Sequence, residues 1–305
     1  MNVKLSTVDA FKNLKLDSGE YVHLSGEQLR RFQLVLLGIA DDIIDVCEEN
    51  QIVYQLGGGS ALGAVRHQGF IPWDDDMDIN ILGCQREAFE EAFSKKYGKK
   101  YWIHTYRTPN YGMDMSRIRL KGSIAKSRED EGNQECGFYV DIFYIENTYD
   151  NAILRNVHGA FCMFFGLMLS CRSFYKNRTL MRSIAINNPE LRSVFRVKIG
   201  IGWMISFASV RRWAMMTHWC YTLCKNTKSK YISVPSGRKH YFGEMYLRSE
   251  MVDTVPVLFE GRRWRVAKNY VAYLTNLYGN DFMVPLPPEE QETHVLLELK
   301  FPDEA

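Results

Sequence analysis

Carboxylates gather at one place in this chain: Asp74, Asp75, Asp76 and Asp78 fall within five consecutive positions. Read as a strand, the segment puts Asp76, Asp78 and Asn80 on one face and Met77, Ile79 and Ile81 on the other. Asp74 extends the polar face if the strand starts that early. Carboxylates roughly 7 Å apart along one face repel each other. A hard divalent cation, Mg²⁺ or Mn²⁺, relieves that repulsion. Some twenty residues earlier stand Gly57, Gly58 and Gly59, where the backbone can approach another group without Cβ atoms in the way. Ser60 is placed to cap a helix starting at Ala61, leaving amide donors for a phosphate. Taken singly, a glycine turn and an acidic run are commonplace. In this order and spacing they predict metal-assisted chemistry at phosphorus.

A further acid, Asp141, lies alone in the apolar run Gly137-Phe-Tyr-Val-Asp-Ile-Phe-Tyr144. A buried, uncompensated carboxylate costs several kcal/mol, so it needs a partner. Either it shares a metal with Asp76 and Asp78, or it makes a structural salt bridge, for example to Arg119. Residues 115–120 read as a strand in which Arg117, Arg119 and Lys121 alternate with Ile118 and Leu120. That face is either a solvated basic surface or a set of phosphate contacts.

Elements that position these residues follow from periodicity. Ile52 to Leu56 is a short strand leading into the glycine turn. Leu29, Phe32, Leu36, Ile39, Ile43 and Val46 recur at three- and four-residue steps, predicting a long amphipathic helix. Ser25 and Gln28 have the spacing of a capping box at its start. Arg86 to Tyr97 reads as a helix with Ala88, Phe89, Ala92 and Phe93 inward, and 101–106 as a strand. A hairpin turns near Glu260-Gly261, and Ala267 to Tyr278 forms a helix stopped by Gly279.

Charge is unevenly spread along the 305 residues. Residues 151–230 hold 13 Lys and Arg against one acid, Glu190, a net +12 within a chain of net +2. Such a block predicts an anionic partner. Two apolar runs inside it, Val157 to Cys171 and Ile199 to Val210, are shorter than the roughly 20 residues that span a bilayer. They read as buried helices or as interfacial membrane contacts. Seven scattered cysteines argue against a disulfide framework and against structural zinc, and Cys220 and Cys224 read as apolar residues on one helix face. Met1 to Ser6 shows no secretory pattern, so a cytoplasmic setting is the expectation.

The segment from Gln55 to Ile79 resembles the signature of the LicD/fukutin family of phosphotransferases, within the nucleotidyltransferase superfamily related to DNA polymerase beta. The likeness rests on Gly58-Gly59-Ser60, on Asp76 and Asp78, on Leu62-Gly-Ala-Val-Arg66, and on Gly69-Phe-Ile-Pro-Trp-Asp-Asp-Asp76. Ser60 stands where many members have Thr. Phe259-Glu-Gly261, Tyr273-Leu274, Tyr278-Gly279 and Pro285 repeat the family's later order. The resemblance covers roughly 25–150 and 240–288.

It implies an α+β fold, with a nucleotidyltransferase-like mixed sheet and a helical, basic middle subdomain. The expected divisions are a lead-in at 1–24, a catalytic core at 25–150, the basic helical part at 151–232 and a closing α+β part at 233–305. It also implies that Asp141 is a third acid beside Asp76 and Asp78, with Asp74 near the metal. Gly58, Gly59, Ser60, Arg66, Arg119 and Lys121 become candidate phosphate contacts, with His67 in reserve. The implied donor is a CDP-linked alcohol, phosphocholine in bacterial members. The acceptor is a hydroxyl of a surface glycan, teichoic acid, lipopolysaccharide sugar or lipid-linked precursor. Peripheral contact with the inner face of the cytoplasmic membrane is expected, and nucleic acid is not. Three alternatives remain open at this point: a nucleotidyltransferase attacking the α-phosphorus, a glycosyltransferase using Asp76 and Asp78, or a non-enzymatic module binding an anionic surface.

Overall fold

A computed structural model describes Val22 and residues 24–127, 130, 132–185, 189–291 and 296–304. Apart from Val22 and Leu24, the lead-in lies outside the described residues. The chain runs α1 (Gly26–Glu49), β1 (Tyr54–Leu56), α2 (Gly58–His67), β2 (Asp78–Leu82), α3 (Arg86–Tyr97), β3 (Tyr101–His104), β4 (Ser116–Leu120), β5 (Ile124–Ser127) and β6 (Tyr139–Asn147). Four helices follow: α4 (Ala152–Lys176), α5 (Arg178–Ile184), α6 (Pro189–Met204) and α7 (Val210–Tyr221). Then come β7 (Tyr231–Ser233), α8 (His240–Gly243), β8 (Met245–Leu247), α9 (Arg248–Met251), β9 (Thr254–Phe259), β10 (Arg262–Ala267), α10 (Tyr270–Tyr278) and β11 (Leu296–Lys300).

The fold is α+β. Its main sheet has seven strands, ordered β1-β2-β6-β4-β3, with β7 joining β6 and β8 joining β7. Only β2 and β6 are parallel among these neighbours; the other pairs are antiparallel. A parallel pair requires a long crossover, and here it is the whole α3–β5 stretch. Asp78 and Asp141 therefore stand in register on adjacent strands, with Arg117 in register beyond Asp141.

Apolar periodicity accounts for the core behind this sheet. Leu29, Phe32, Leu36, Ile39, Ile43 and Val46 of α1 are all buried, and all but Leu29 pack in one cluster with Ile79, Ile81, Phe89, Phe93, Val140 and Ile142. The expected capping box is not formed, since Ser25 makes no side-chain hydrogen bond at the helix start. In α3 the buried residues are Arg86, Phe89 and Phe93, whereas Ala88 faces solvent.

Helix α4 is longer than its apolar run suggested. At 25 residues it is long and apolar enough, by length and composition, to cross a membrane. Flanking residues extend the helix because Asn151 caps it, accepting from the amides of Ile153 and Leu154. One face, with His158, Gly159, Cys162, Leu169 and Cys171, is buried. It runs antiparallel along α7, with Cys162 against Cys220 and Phe165 against Trp213 and Thr217.

Candidate active site

The acidic run is built from alternation. Asp75, Met77 and Ile79 are buried, while Asp74, Asp76 and Asp78 are half-exposed. Strand pairing starts only at Asp78, later than the expected strand, yet the period of two reaches back to Asp74. Two long-range contacts hold the irregular part. Buried Gln33 of α1 donates to the Asp74 carbonyl at 2.9 Å. Glu260, at the β9–β10 turn, accepts from the Phe70 amide at 3.3 Å and from Arg30 at 2.6 Å.

The glycine turn lies directly against these acids. A Cβ on Gly57 would lie 2.7 Å from Asn80 Oδ1, one on Gly58 2.6 Å from Asp78 Oδ2, and one on Gly59 2.8 Å from Asp74 Oδ2. Gly58 also has φ +43°, a left-handed value that favours glycine. Helix α2 begins at Gly58, not at Ala61, and Ser60 does not cap it. The buried Ser60 hydroxyl instead accepts from the Asp78 amide at 2.9 Å, fixing the start of β2 beneath the acids.

Helix α10, nearly 200 residues away in sequence, closes the site. The Tyr273 hydroxyl accepts from the Gly58 amide at 2.9 Å, so this helix-terminal donor is already used. Asn80 Nδ2 approaches the same hydroxyl at 3.4 Å. The next helix-terminal donors are the amides of Gly59 and Ser60. Tyr278 faces the carboxylates: burial, then Tyr273 and the charges of Asp78, Asp74 and Asp76, push its phenol well above its ordinary pKa. Tyr273 and Tyr278 appear in the sequence only as part of the family's order, with no periodicity that points them at the acids.

Asp141 takes the salt bridge rather than a free position, but its partner is Arg117 and not Arg119. Arg117 Nε and Nη2 reach its two oxygens at 2.6 and 2.8 Å, both residues being buried. Burial opposes the Arg117 charge, and Asp141 with Tyr139 and Tyr111 nonetheless carries its pKa well above the usual value. Arg119 is buried too and pairs with Asp130 at 2.6 Å. Lys121 donates to the Gly98 carbonyl at 2.8 Å. Thus β4 has no solvated basic face, because each guanidinium lies on a carboxylate inside the fold. Arg66 stays near the rim, donating to the Phe282 carbonyl at 2.8 Å. Burial lowers its pKa against opposing contributions from Tyr278 and Asp74. His67 lies beside it, its ring nitrogen 3.4 Å from Arg66 Nε.

Half-exposed oxygens of Asp74, Asp76 and Asp78 beside a cradle that any Cβ would fill suit a hard divalent cation. Asp141 can join them, since an ionised carboxylate keeps lone pairs beyond those an arginine fork uses. Among the described residues, only His158, Cys162 and Cys220 bring three metal-capable side chains within 4.8 Å of one another. There His158 Nε2 donates to the Cys220 carbonyl at 2.8 Å, its Nδ1 lies 3.3 Å from the Tyr241 hydroxyl, and the two sulfurs are 3.8 Å apart. That cluster is a hydrogen-bonded core contact between α4, α7 and α8.

Residues 51–161 match LicD/FKTN/FKRP, nucleotidyltransferase domain. The chain is 27% identical over 287 residues to Lipopolysaccharide cholinephosphotransferase LicD of Haemophilus influenzae, covering 88% of this chain and 97% of that protein. It is also similar to uncharacterized protein RP689 of Rickettsia prowazekii, 37% identical over 103 residues, 26% of this chain and 39% of that one. Uncharacterized protein RT0683 of Rickettsia typhi is 43% identical over 77 residues, 23% of this chain and 25% of that one.

Proposed function

We propose that this chain is a LicD-family transferase that moves phosphocholine from CDP-choline to a hydroxyl of a cell-surface glycan or its lipid-linked precursor, on the cytoplasmic side. The observation that carries this reading is the meeting of Asp74 and Asp78 with the Gly57–Gly59 turn, Asp76 standing between them in the acidic run. The relative named for choline phosphate transfer to lipopolysaccharide, similar along 97% of its own length, supports the choice of group and acceptor.

In the proposed reaction, an acceptor oxygen attacks the phosphorus that bears choline. A new P–O bond forms, the bond to CMP breaks, and a carboxylate of the site takes the acceptor's proton. Mg²⁺ or Mn²⁺ held by Asp76 and Asp78, with Asp74 and Asp141 beside them, would supply charge neutralisation at the diphosphate. The amides of Gly59 and Ser60 bind phosphoryl oxygens at the N-terminus of α2. Arg66 adds positive charge at the rim, and α10 shields the acids from bulk water. Buried Arg119 and hydrogen-bonded Lys121 hold the scaffold in this reading, not the substrate.

The test separates this reaction from nucleotidyl transfer. CDP-choline labelled in turn on choline and on cytidine is incubated with Mg²⁺, the protein and a lipopolysaccharide acceptor. Choline label on the acceptor with free CMP is the expected outcome, lost in Asp78→Asn at unchanged melting temperature. Cytidine label on the acceptor would show attack at the other phosphorus and overturn the proposal.

A further inference from the structure

The +12 charge of the middle block is not spread evenly over its helices. Arg178 and Arg182 stand one turn apart on α5, and Arg192 and Arg196 one turn apart on α6. All four line a single open cavity of about 830 Å³, together with Tyr175 and Trp203. Arg178 donates to the Tyr175 carbonyl at 3.1 Å, and four guanidinium groups around one opening favour an anionic ligand there. Trp203, which lines the cavity, is 64% exposed; next to it in sequence Met204 is 64% exposed, and Phe207, just past the end of α6, is 80% exposed. Val157, Phe161 and Phe164 of α4 and Trp219 of α7 are exposed as well, and neighbouring exposed apolar residues such as Trp203, Met204 and Phe207 mark a binding face.

Guanidinium groups recognise phosphate as planar forks, and the aromatic rim accepts hydrocarbon. Bases on a nucleic acid would meet exposed Met204 and Phe207 rather than a row of stacking rings along a basic track. We propose that this cavity binds the phosphate head of a membrane lipid, with Trp203, Met204 and Phe207 entering the bilayer interface around it. Two other bases of the block are committed elsewhere. Arg172 donates to the Ala208 carbonyl at 3.0 Å and Lys176 to the Asn110 carbonyl at 3.0 Å. The site uses none of the acidic residues near Asp78, so it stands or falls apart from the phosphotransfer reading.

The experiment is sedimentation of the full-length chain with vesicles of phosphatidylcholine alone and with about one third phosphatidylglycerol. It compares wild type with Arg182→Gln/Arg196→Gln and with Trp203→Ala/Phe207→Ala, each checked for folding by circular dichroism. Wild type should pellet with anionic vesicles only. Both variants should lose at least tenfold in partitioning, and added salt should weaken wild type more than the arginine variant. Choline transfer to a soluble acceptor should be unchanged in the variants. Equal partitioning of variants and wild type overturns the proposal. So does a melting shift with inorganic phosphate in a protein that stays in the supernatant, which would make the cavity a site for free phosphate.

Discussion

Arg117 and Asp141 set the terms at the scale of single residues. Each is buried, and each is compensated by the other at 2.6 and 2.8 Å. Removing one partner of such a pair leaves an uncompensated charge and costs about 3–5 kcal/mol. Arg117→Met should therefore melt several degrees below wild type. The same variant reports on the metal. If Asp141 is a ligand, Mn²⁺ replaces the lost positive charge and raises the melting temperature of Arg117→Met more than that of wild type. Equal Mn²⁺ shifts in the two proteins would make Asp141 a purely structural acid.

At the scale of elements, the contact between the β1–α2 turn and β2 decides where the acids lie. Gly58 combines φ +43° with a Cβ position 2.6 Å from Asp78 Oδ2. Gly58→Ala should lose about 1–2 kcal/mol from the left-handed backbone alone. The added methyl also displaces the Asp78 carboxylate, so turnover should fall roughly 100-fold. Gly122 provides the control, with φ +70° and nothing within 4 Å of a Cβ. Gly122→Ala should show the loss of stability with normal turnover. If the two variants lose equal activity, crowding of Asp78 is not the cause.

At the scale of the molecule, β6 joins the acidic site to the helical part. Asp141 lies near its start, and Glu146, paired with Ser233 of β7, near its end. Burial, reinforced by Asp114 and opposed by Arg86 and Lys225, pushes the Glu146 carboxyl up to about 8. A raised acid pKa means the folded state holds a proton that the unfolded chain has released. Its stabilising contribution is present below pH 4.5 and is lost as the pH rises through about 8. Wild type should thus lose melting temperature between pH 5 and 9. Glu146→Gln, neutral throughout, should lose less, with its advantage growing toward pH 9. Parallel pH profiles for the two proteins would mean that Glu146 is charged in the fold.

Short-range pattern was enough to read the α1 core stripe, the glycine turn, the alternation of Asp74, Asp76 and Asp78, and the isolation of Asp141. Each depends on residues a few positions apart, whose faces follow from helix and strand periods. The partners of those residues were not legible. Arg117 meets Asp141 because of the β4–β6 register, and Arg119, one pleat along, meets Asp130 instead. Ser60 looked like a cap but binds the Asp78 amide, because α2 starts three residues earlier than expected. Tyr273 and Tyr278 reach the acids through the docking of α10, and Gln33 holds Asp74 through the packing of α1. The basic block was visible as a sum, but its gathering of four arginines in one cavity depends on how α5 and α6 lie together. Sequence periodicity determines which face a residue occupies. Burial forces charged and polar groups to find partners, and only the packed chain decides which ones come within reach.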